Sequence, residues 1–504
     1  MLDLDTRWQL HPRVALRPEP FGALLYHFGT RKLSFLKNPR IVEIVRSLPA
    51  QPSVRTAMRA AGIDDAAAAP YVKALAQLAD SQMIVGAPDS APLAAPPEPM
   101  TFAAADDRAV RLVDRFESGL AAPICLTWEL TYACNLSCVH CLSSSGRRDP
   151  RELSTEQCKA LIDEFQRMQI FYVNIGGGEP TVRPDFWELV DYATAHQVGV
   201  KFSTNGVRIT PTRAAQLAAT DYVDIQISLD GATAEVNDAV RGRGSFDTAF
   251  RAMENLAEAG FEGFKISVVM TRHNVAQLDE LKAIADRFDA QLRITRLRPS
   301  GRGADVWDSL RPSAGQQRQI YDWLLAHGDG ILTGDSFFHL NALGSTPLPG
   351  LNLCGAGRVV CLIDPVGDVY ACPFAIHDQF LAGNVRDPGG FEAVWRASEL
   401  FTQLRQTHTG GACRSCSAYD SCQGGCMAAK FFTGLALDGP DPECVRGNAE
   451  LAVGAVAGRP QPDKDHSRTG SARGPVVLGL PERRSASTTV PDRACDTSPL
   501  MGLR

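Results

Sequence analysis

TWELTYACNLSCVHC, residues 127–141, decides how this chain is read. It continues an apolar strand candidate, Ile124–Leu130, and turns into a loop bearing Cys134, Cys138 and Cys141 in C-x3-C-x2-C spacing. A four-iron cube ordinarily takes one cysteine per iron. Three cysteines packed this tightly leave one iron open to a small molecule. Zinc is the competing reading. Zinc sites usually pair their cysteines and finish with a fourth ligand, and no local Cys or His completes such a set. His140 is adjacent and reads as pointing elsewhere on the loop.

A second cysteine signature lies far downstream. CRSCSAYDSCQGGC, residues 413–426, places Cys413, Cys416, Cys422 and Cys426 in C-x2-C-x5-C-x3-C spacing. Cys354-x12-Gly367-x4-Cys372 precedes it and Cys444 follows. With Cys361, which completes CGAGRVVC, the segment holds eight thiols. Eight suit two fully ligated four-iron clusters better than one zinc site. Cys125, Cys158 and Cys495 fall outside both signatures and read as buried apolar fillers or surface thiols.

Between the signatures, strand and helix patterns alternate. Strands are expected at Ile124–Leu130, Phe171–Ile175, Val200–Ser203, Asp224–Leu229, Lys265–Met270 and Arg293–Leu297, and helices at positions such as Thr155–Met168 and Pro184–His196. Six such repeats imply an α/β fold with a parallel sheet. The 504 residues exceed one ordinary domain. A net charge of −6 without a long basic run excludes a nucleic-acid partner. The N-terminus, MLDLDTRWQL, lacks a secretory signal, and no apolar run reaches the length of a membrane span. The expectation is a soluble, cytoplasmic protein, in which fourteen cysteines argue for metal or redox chemistry.

Residues 1–85 read as a small α+β unit. Short strands are expected at Arg13–Leu16, Gly22–Phe28 and Lys32–Leu36, and helices at Pro39–Leu48 and Ala66–Met83. Residues 86–104, rich in Ala and Pro, read as a linker. Met100 opens a stretch that can stand as its own protein, so the chain reads as a fusion of two genes. The last residues, 451–504, combine Pro, Ser, Arg and Gly and are expected to be disordered.

The cysteine loop resembles that of the radical S-adenosylmethionine (radical SAM) superfamily, and the later cysteine pattern resembles its SPASM extension. GGGEPTVRPDFWELVDYATAH (176–196), KFSTNGVRIT (201–210), DIQISLDGATAEVNDAVRG (224–242) and CLIDPVGDVYACPFAIH (361–377) resemble the radical SAM maturases of the mycofactocin pathway, over about residues 105–450. The resemblance implies a partial (β/α)6 barrel over 105–330 and a SPASM domain over 331–450. It implies SAM and three [4Fe–4S] clusters, the first held by Cys134, Cys138 and Cys141. Cys354, Cys361, Cys372 and Cys426 are implied for one auxiliary cluster. Cys413, Cys416, Cys422 and Cys444 are implied for the other. Around SAM, the backbone of Gly177 and Gly178 and the carboxylate of Glu179 would hold the ammonium. Ser203, Asn205, Ser228 and Asp230 would lie near the ribose. Arg241 would meet the SAM carboxylate, which a guanidinium can grip with two hydrogen bonds.

The implied substrate is a short ribosomal precursor peptide, and the implied electron donor is of ferredoxin or flavodoxin type. The N-terminal unit resembles the winged-helix-like recognition domains of such peptide pathways, which capture a leader by strand addition. Its arginines, Arg40, Arg46, Arg55 and Arg59, are spread out and build no DNA-recognition helix. Two alternatives stand beside this reading. One is another SPASM maturase, of the sulfatase-maturating or thioether-forming kind. The other is a non-catalytic iron–sulfur electron carrier, which has no use for Glu179, Asn205 and Asp230.

Overall fold

The computed structural model describes residues 2–30, 32–88, 92–98, 119–334, 336–348, 352–406 and 413–447. The expected disordered tail, Cys495 and part of the expected linker lie outside the described residues.

The N-terminal unit runs β1 (Trp8–Leu10), β2 (Val14–Glu19), β3 (Gly22–His27), β4 (Leu33–Leu36), α1 (Pro39–Ser47), α2 (Val54–Ala60), α3 (Ala69–Asp80) and β5 (Ile84–Gly86). β2, β3 and β4 form an antiparallel sheet, and β1 pairs with β5. Asn38 caps α1, and Ser53 with Thr56 forms a capping box on α2. Pro18 is tolerated within β2 because that strand is a sheet edge.

β3 is buried along its whole length. Its alternate side chains serve two cores. Ala23 and Leu25 pack with Ile41, Val45 and Leu75 inside the unit. Leu24 and Tyr26 pack into the core of the larger body. The Tyr26 ring stacks on Phe171 at 5.3 Å, and Phe28 meets Tyr222 edge-on at 5.1 Å. Arg17 is buried at this seam. Its Nε donates to Glu19 Oε1 at 2.7 Å, its Nη2 to the Ala122 carbonyl at 2.8 Å, and its Nη1 to the carbonyls of Pro123 and Gln169 at 3.2 Å each. The unit is therefore docked on the barrel rather than loosely tethered to it. The described part of the linker also leans on the unit, through Arg7 Nη2 to the Pro92 carbonyl and the Ala94 N–H to the Pro49 carbonyl.

The larger body is built on β6 (Cys125–Thr131), β7 (Tyr172–Gly177), β8 (Gly199–Thr204), β9 (Val223–Ser228), β10 (Lys265–Met270), β11 (Gln291–Arg296) and β12 (Ile331–Leu332). These pair in sequence order and all in parallel. The connections carry α4 (Thr155–Arg167), α5 (Phe186–Ala195), α6 (Pro211–Ala218), α7 (Ala234–Arg241), α8 (Ser245–Glu258) and α9 (Leu278–Arg287). At the free edge of β6 the sheet continues through β13 (Val360–Ile363), β14 (Asp368–Tyr370) and β15 (Leu381–Asn384). The strand order is open, as a partial barrel requires.

Period-two alternation gives the sheet two unlike faces. On β6, Leu126, Trp128 and Leu130 are buried against the helices, while Cys125, Thr127 and Glu129 line the interior. On β9, Ile225 and Ile227 face the helices, while Gln226 and Ser228 line the interior. The main core thus lies outside the barrel, between sheet and helices. The interior is left to polar side chains around a cavity of about 650 Å³.

Candidate active site

The loop after β6 is held at both ends. Thr131 Oγ1 and the Tyr132 N–H both donate to Glu152 Oε1, at 3.0 and 2.9 Å. The Tyr132 hydroxyl donates to Asp364 Oδ2 at 2.6 Å. Arg302 fastens the far side, donating Nε to the Cys138 carbonyl at 2.9 Å and Nη1 to the Ser145 carbonyl at 2.8 Å. Cys134, Cys138 and Cys141 all line the upper end of the cavity. Burial pushes the Cys134 thiol up to about 11 and also raises Cys138. The thiolates that a metal group needs are therefore disfavoured until a cation shares their charge. Among the described residues no group of three His, Cys, Asp or Glu side chains gathers as tightly as a single ion requires. The donor set, three thiols spread around one end of a cavity, fits a polynuclear cluster.

Beside this loop the end of β7 and the turn after it approach closely. Gly177 has φ of +111°, and a Cβ on Gly178 would sit 2.0 Å from the Ala133 carbonyl oxygen. Only glycine lets the two backbones lie this near. Both glycines line the cavity, as do Glu179, Ser203, Asn205, Ser228 and Arg241. The structure thus brings seven of the eight expected cofactor residues together, with walls suited to a polar ligand.

Two of the expected roles change. Asp230 does not reach the cavity wall: it is fully buried. Its Oδ2 lies 2.6 Å from His140 Nε2 and 2.7 Å from Arg241 Nε, and its Oδ1 accepts from the Val269 N–H at 2.7 Å. Burial alone would raise its carboxyl, but the Arg241 guanidinium and the hydrogen bond with His140 outweigh it and hold the carboxyl well below the usual range. Asp230 positions Arg241 and His140, and His140, set aside in the sequence reading, lines the cavity. Glu179 does reach the wall, yet it is largely committed within the chain. Oε1 accepts from the Thr181 N–H, Thr181 Oγ1 and Thr204 Oγ1, and Oε2 from the Asn205 N–H at 2.7 Å. A carboxylate offers about four acceptor sites, so Glu179 chiefly fixes the turn that carries Asn205. Burial raises its pKa even so.

Glu129 was missed, although alternation along β6 points it inward. It is buried on the cavity wall, and its Oε2 has no partner. Burial, with Asp364 adding, pushes it up to about 8.

The later cysteines fall into two groups. Cys413, Cys416, Cys422 and Cys444 line one small pocket together, as a four-thiol cluster site requires. Cys354, Cys372 and Cys426 lie on the wall of the main cavity. Cys361 does not join them. On β13 it is Val360 that faces the cavity, and the next side chain, Cys361, turns into the core. The expected ligand role for Cys361 is corrected on that ground. Arg296, at the end of β11, ties this segment to the barrel. Its Nη1 donates to Asp441 Oδ2 at 2.9 Å and its Nε pairs with Glu443, while Asp441 Oδ2 also accepts from the Cys426 N–H at 2.7 Å.

Comparison with known proteins identifies the parts of the chain. Residues 7–85 match the peptide chaperone MftB family, 128–285 the radical SAM superfamily, and 354–417 an iron–sulfur cluster-binding domain. The fold is also that of Streptococcus suis SuiB bound to its precursor peptide SuiA, with a TM-score of 0.60 at 16% identity, over 87% of this chain and 99% of that one. The chain is a radical SAM enzyme that carries a SPASM iron–sulfur domain. It is 71% identical to the mycofactocin maturase MftC of Mycolicibacterium smegmatis, over 77% of this chain and 98% of the relative. It is 65% identical to the peptide chaperone MftB of Mycobacterium ulcerans, over 16% of this chain and 76% of the relative. It belongs to the mycofactocin maturase family, with an MftB-type domain fused at its N-terminus.

Proposed function

We propose that this chain binds a short ribosomal precursor peptide through its N-terminal unit and modifies the peptide's C-terminal Val–Tyr in the barrel. The reaction removes a hydrogen atom from the tyrosine Cβ and releases the C-terminal carboxylate as CO2, one electron passing to an acceptor. A valine carbon then adds across the Cα=Cβ double bond this leaves, its C–H bond breaking and a hydrogen passing to the tyrosine Cβ, so that this redox-neutral step closes a lactam. One observation carries this reading: Cys134, Cys138 and Cys141 share a single cavity with Cys354, Cys372 and Cys426. When bound, SAM and the cluster at the first three thiols supply a 5′-deoxyadenosyl radical.

The chain's own residues do the rest. Gly177 and Gly178 admit the SAM methionine moiety against the backbone, and Arg241 meets its carboxylate. Ser203, Asn205 and Ser228 offer hydrogen bonds to the ribose. Cys354, Cys372 and Cys426 would hold one auxiliary cluster and Cys413, Cys416, Cys422 and Cys444 another, making three [4Fe–4S] clusters in all. A ferredoxin- or flavodoxin-type protein of the cytoplasm is the electron donor. Among the described residues no helix is long and apolar enough to cross a membrane.

The test is anaerobic incubation of reconstituted protein with SAM, a low-potential reductant and a precursor peptide ending in Val–Tyr. The expected product has lost CO2 and a pair of hydrogens by mass. SAM cleavage with the peptide left unmodified overturns the reading.

A further inference from the structure

The cavity extends below the ring formed by Ser203, Asn205 and Ser228, and its lower wall carries charge that the reaction so far does not use. Lys201 on β8 and Arg293 on β11 both line it. Among the described residues neither has a carboxylate within ion-pair distance. Arg293 Nη1 makes a long contact to Ser267 Oγ at 3.4 Å. The nearby carboxylate, Asp224 on β9, is taken by Lys265 Nζ of β10 at 2.5 Å. Three basic side chains, Lys201, Lys265 and Arg293, therefore share one carboxylate in this part of the wall. Burial takes Lys201 down to about 7; Arg293 and Lys265 push the same way, while Asp224 and Cys125 oppose them. Burial also lowers Arg293. Two basic side chains that line a cavity and have no carboxylate partner among the described residues leave room for an anion from outside.

The level of Lys201 on the wall indicates which anion. Lys201 precedes Ser203 by two residues, which places it about 7 Å lower along the strand. In a tyrosine residue a carboxylate oxygen lies about 3.5 Å from Cβ, and a charge-assisted hydrogen bond adds about 2.8 Å. The sum, about 6 Å, matches one step down the wall. A guanidinium can take both carboxylate oxygens and the ammonium adds a point charge.

We propose that Lys201 and Arg293 bind the C-terminal carboxylate of the substrate peptide, the group that leaves as CO2, and so set the tyrosine Cβ at the level of the polar ring. This rests on the function proposed above. It also accounts for selection of a chain terminus: an uncharged group in that place leaves the Arg293 guanidinium unpaired and gives the buried Lys201 amine nothing to favour its charged form.

The test uses the full-length holoenzyme with S-adenosylhomocysteine, which permits binding without turnover. Two synthetic peptides share the precursor's last residues, one ending in a free carboxylate and the other in a carboxamide. Calorimetry should show the acid binding roughly ten- to a hundredfold tighter than the amide. Binding of the acid at pH 8 should take up protons, seen as a dependence of the heat on buffer, as Lys201 regains its charge. K201M and R293Q should each reduce the preference for the acid to about threefold or less, while amide affinity and iron content hold. K201R should restore part of the preference. Equal binding of the two peptides by the parent enzyme, or an undiminished preference in both variants, overturns the clamp even if the acid is turned over normally. If SAM is cleaved and the acid peptide is never modified, the proposed function fails and the clamp falls with it.

Discussion

Replacing Arg17 with alanine should release the N-terminal unit from the barrel. In the structure the Arg17–Glu19 pair is shut away from solvent, with side-chain exposures of 1% and 0%. Arg17 also serves three backbone carbonyls, those of Ala122, Pro123 and Gln169. Without it, Glu19 keeps only the Ala121 N–H, at 2.8 Å, and burial already holds its carboxyl above the usual range. Removing one member of a buried pair costs about 3–5 kcal/mol. At about 1.4 kcal/mol per decade, that weakens docking roughly a thousandfold. Hydrogen exchange followed by mass spectrometry reads it locally. Segments 119–124, 169–175 and 220–222 should lose protection in Arg17→Ala, while β9 and β10 keep theirs. Arg13→Ala is the control at the same seam. Its pair with Asp221 is exposed, 49% and 67%, and such pairs are worth at most about 1 kcal/mol. Equal protection in the parent and Arg17→Ala, or equal losses in both variants, refutes the reasoning.

Cys361→Ala should leave iron content unchanged after anaerobic reconstitution, whereas Cys354→Ala and Cys444→Ala should each lower it; a loss for Cys361→Ala restores it as a ligand. Gly178→Ala should abolish SAM cleavage with the helical signal intact, since its Cβ would drive the Ala133 carbonyl and the cysteine loop aside; retained cleavage counts against the close approach. Glu129→Gln tests a buried acid. Because the folded pKa of Glu129, about 8, lies above the ordinary value of 4.5, its contribution falls as pH rises from about 4.5 to 8 and is flat beyond. The variant should match the parent near pH 5 and be the more stable at pH 8 in anaerobic denaturant unfolding, and an equal difference at both pH values sinks the assignment.

The sequence signals that held best were those with chemistry at fixed spacing. Lys265–Met270 was placed to the residue, and the other five expected barrel strands to within one or two, because each is a short apolar run bounded by turns; the two-residue β12 went unread. β1, β5 and α2 went unread, being too short to show a period. The docked seam was also invisible. β3 reads as one apolar strand, and nothing local reveals that its two faces enter different cores. Asp230 stood in a motif with Ser228, yet pairing with His140 and Arg241 turned it inward, and that pairing spans the 90 residues from His140. Cys361 failed for a simpler reason: its spacing from Cys354 suits a cluster, but strand pairing to β6 fixes its face.

The docked unit sits at the N-terminal ends of the strands, against Phe171, Tyr172 and Tyr222, while the cysteine loop closes the C-terminal ends. From Cys125 to Thr131 is six steps along β6, about 20 Å at 3.3 Å per residue. An extended peptide spans at most about 3.3–3.6 Å per residue. A peptide held by the unit therefore needs about six residues between its held segment and its reacting end, and any path around the outside of the barrel needs more. Shortening the spacer of a precursor peptide one residue at a time should leave its affinity for the unit unchanged. Turnover should fall abruptly once fewer than about six residues remain. A steady rate at two or three spacer residues, at low micromolar peptide, means that the unit and the barrel do not engage the same peptide at once.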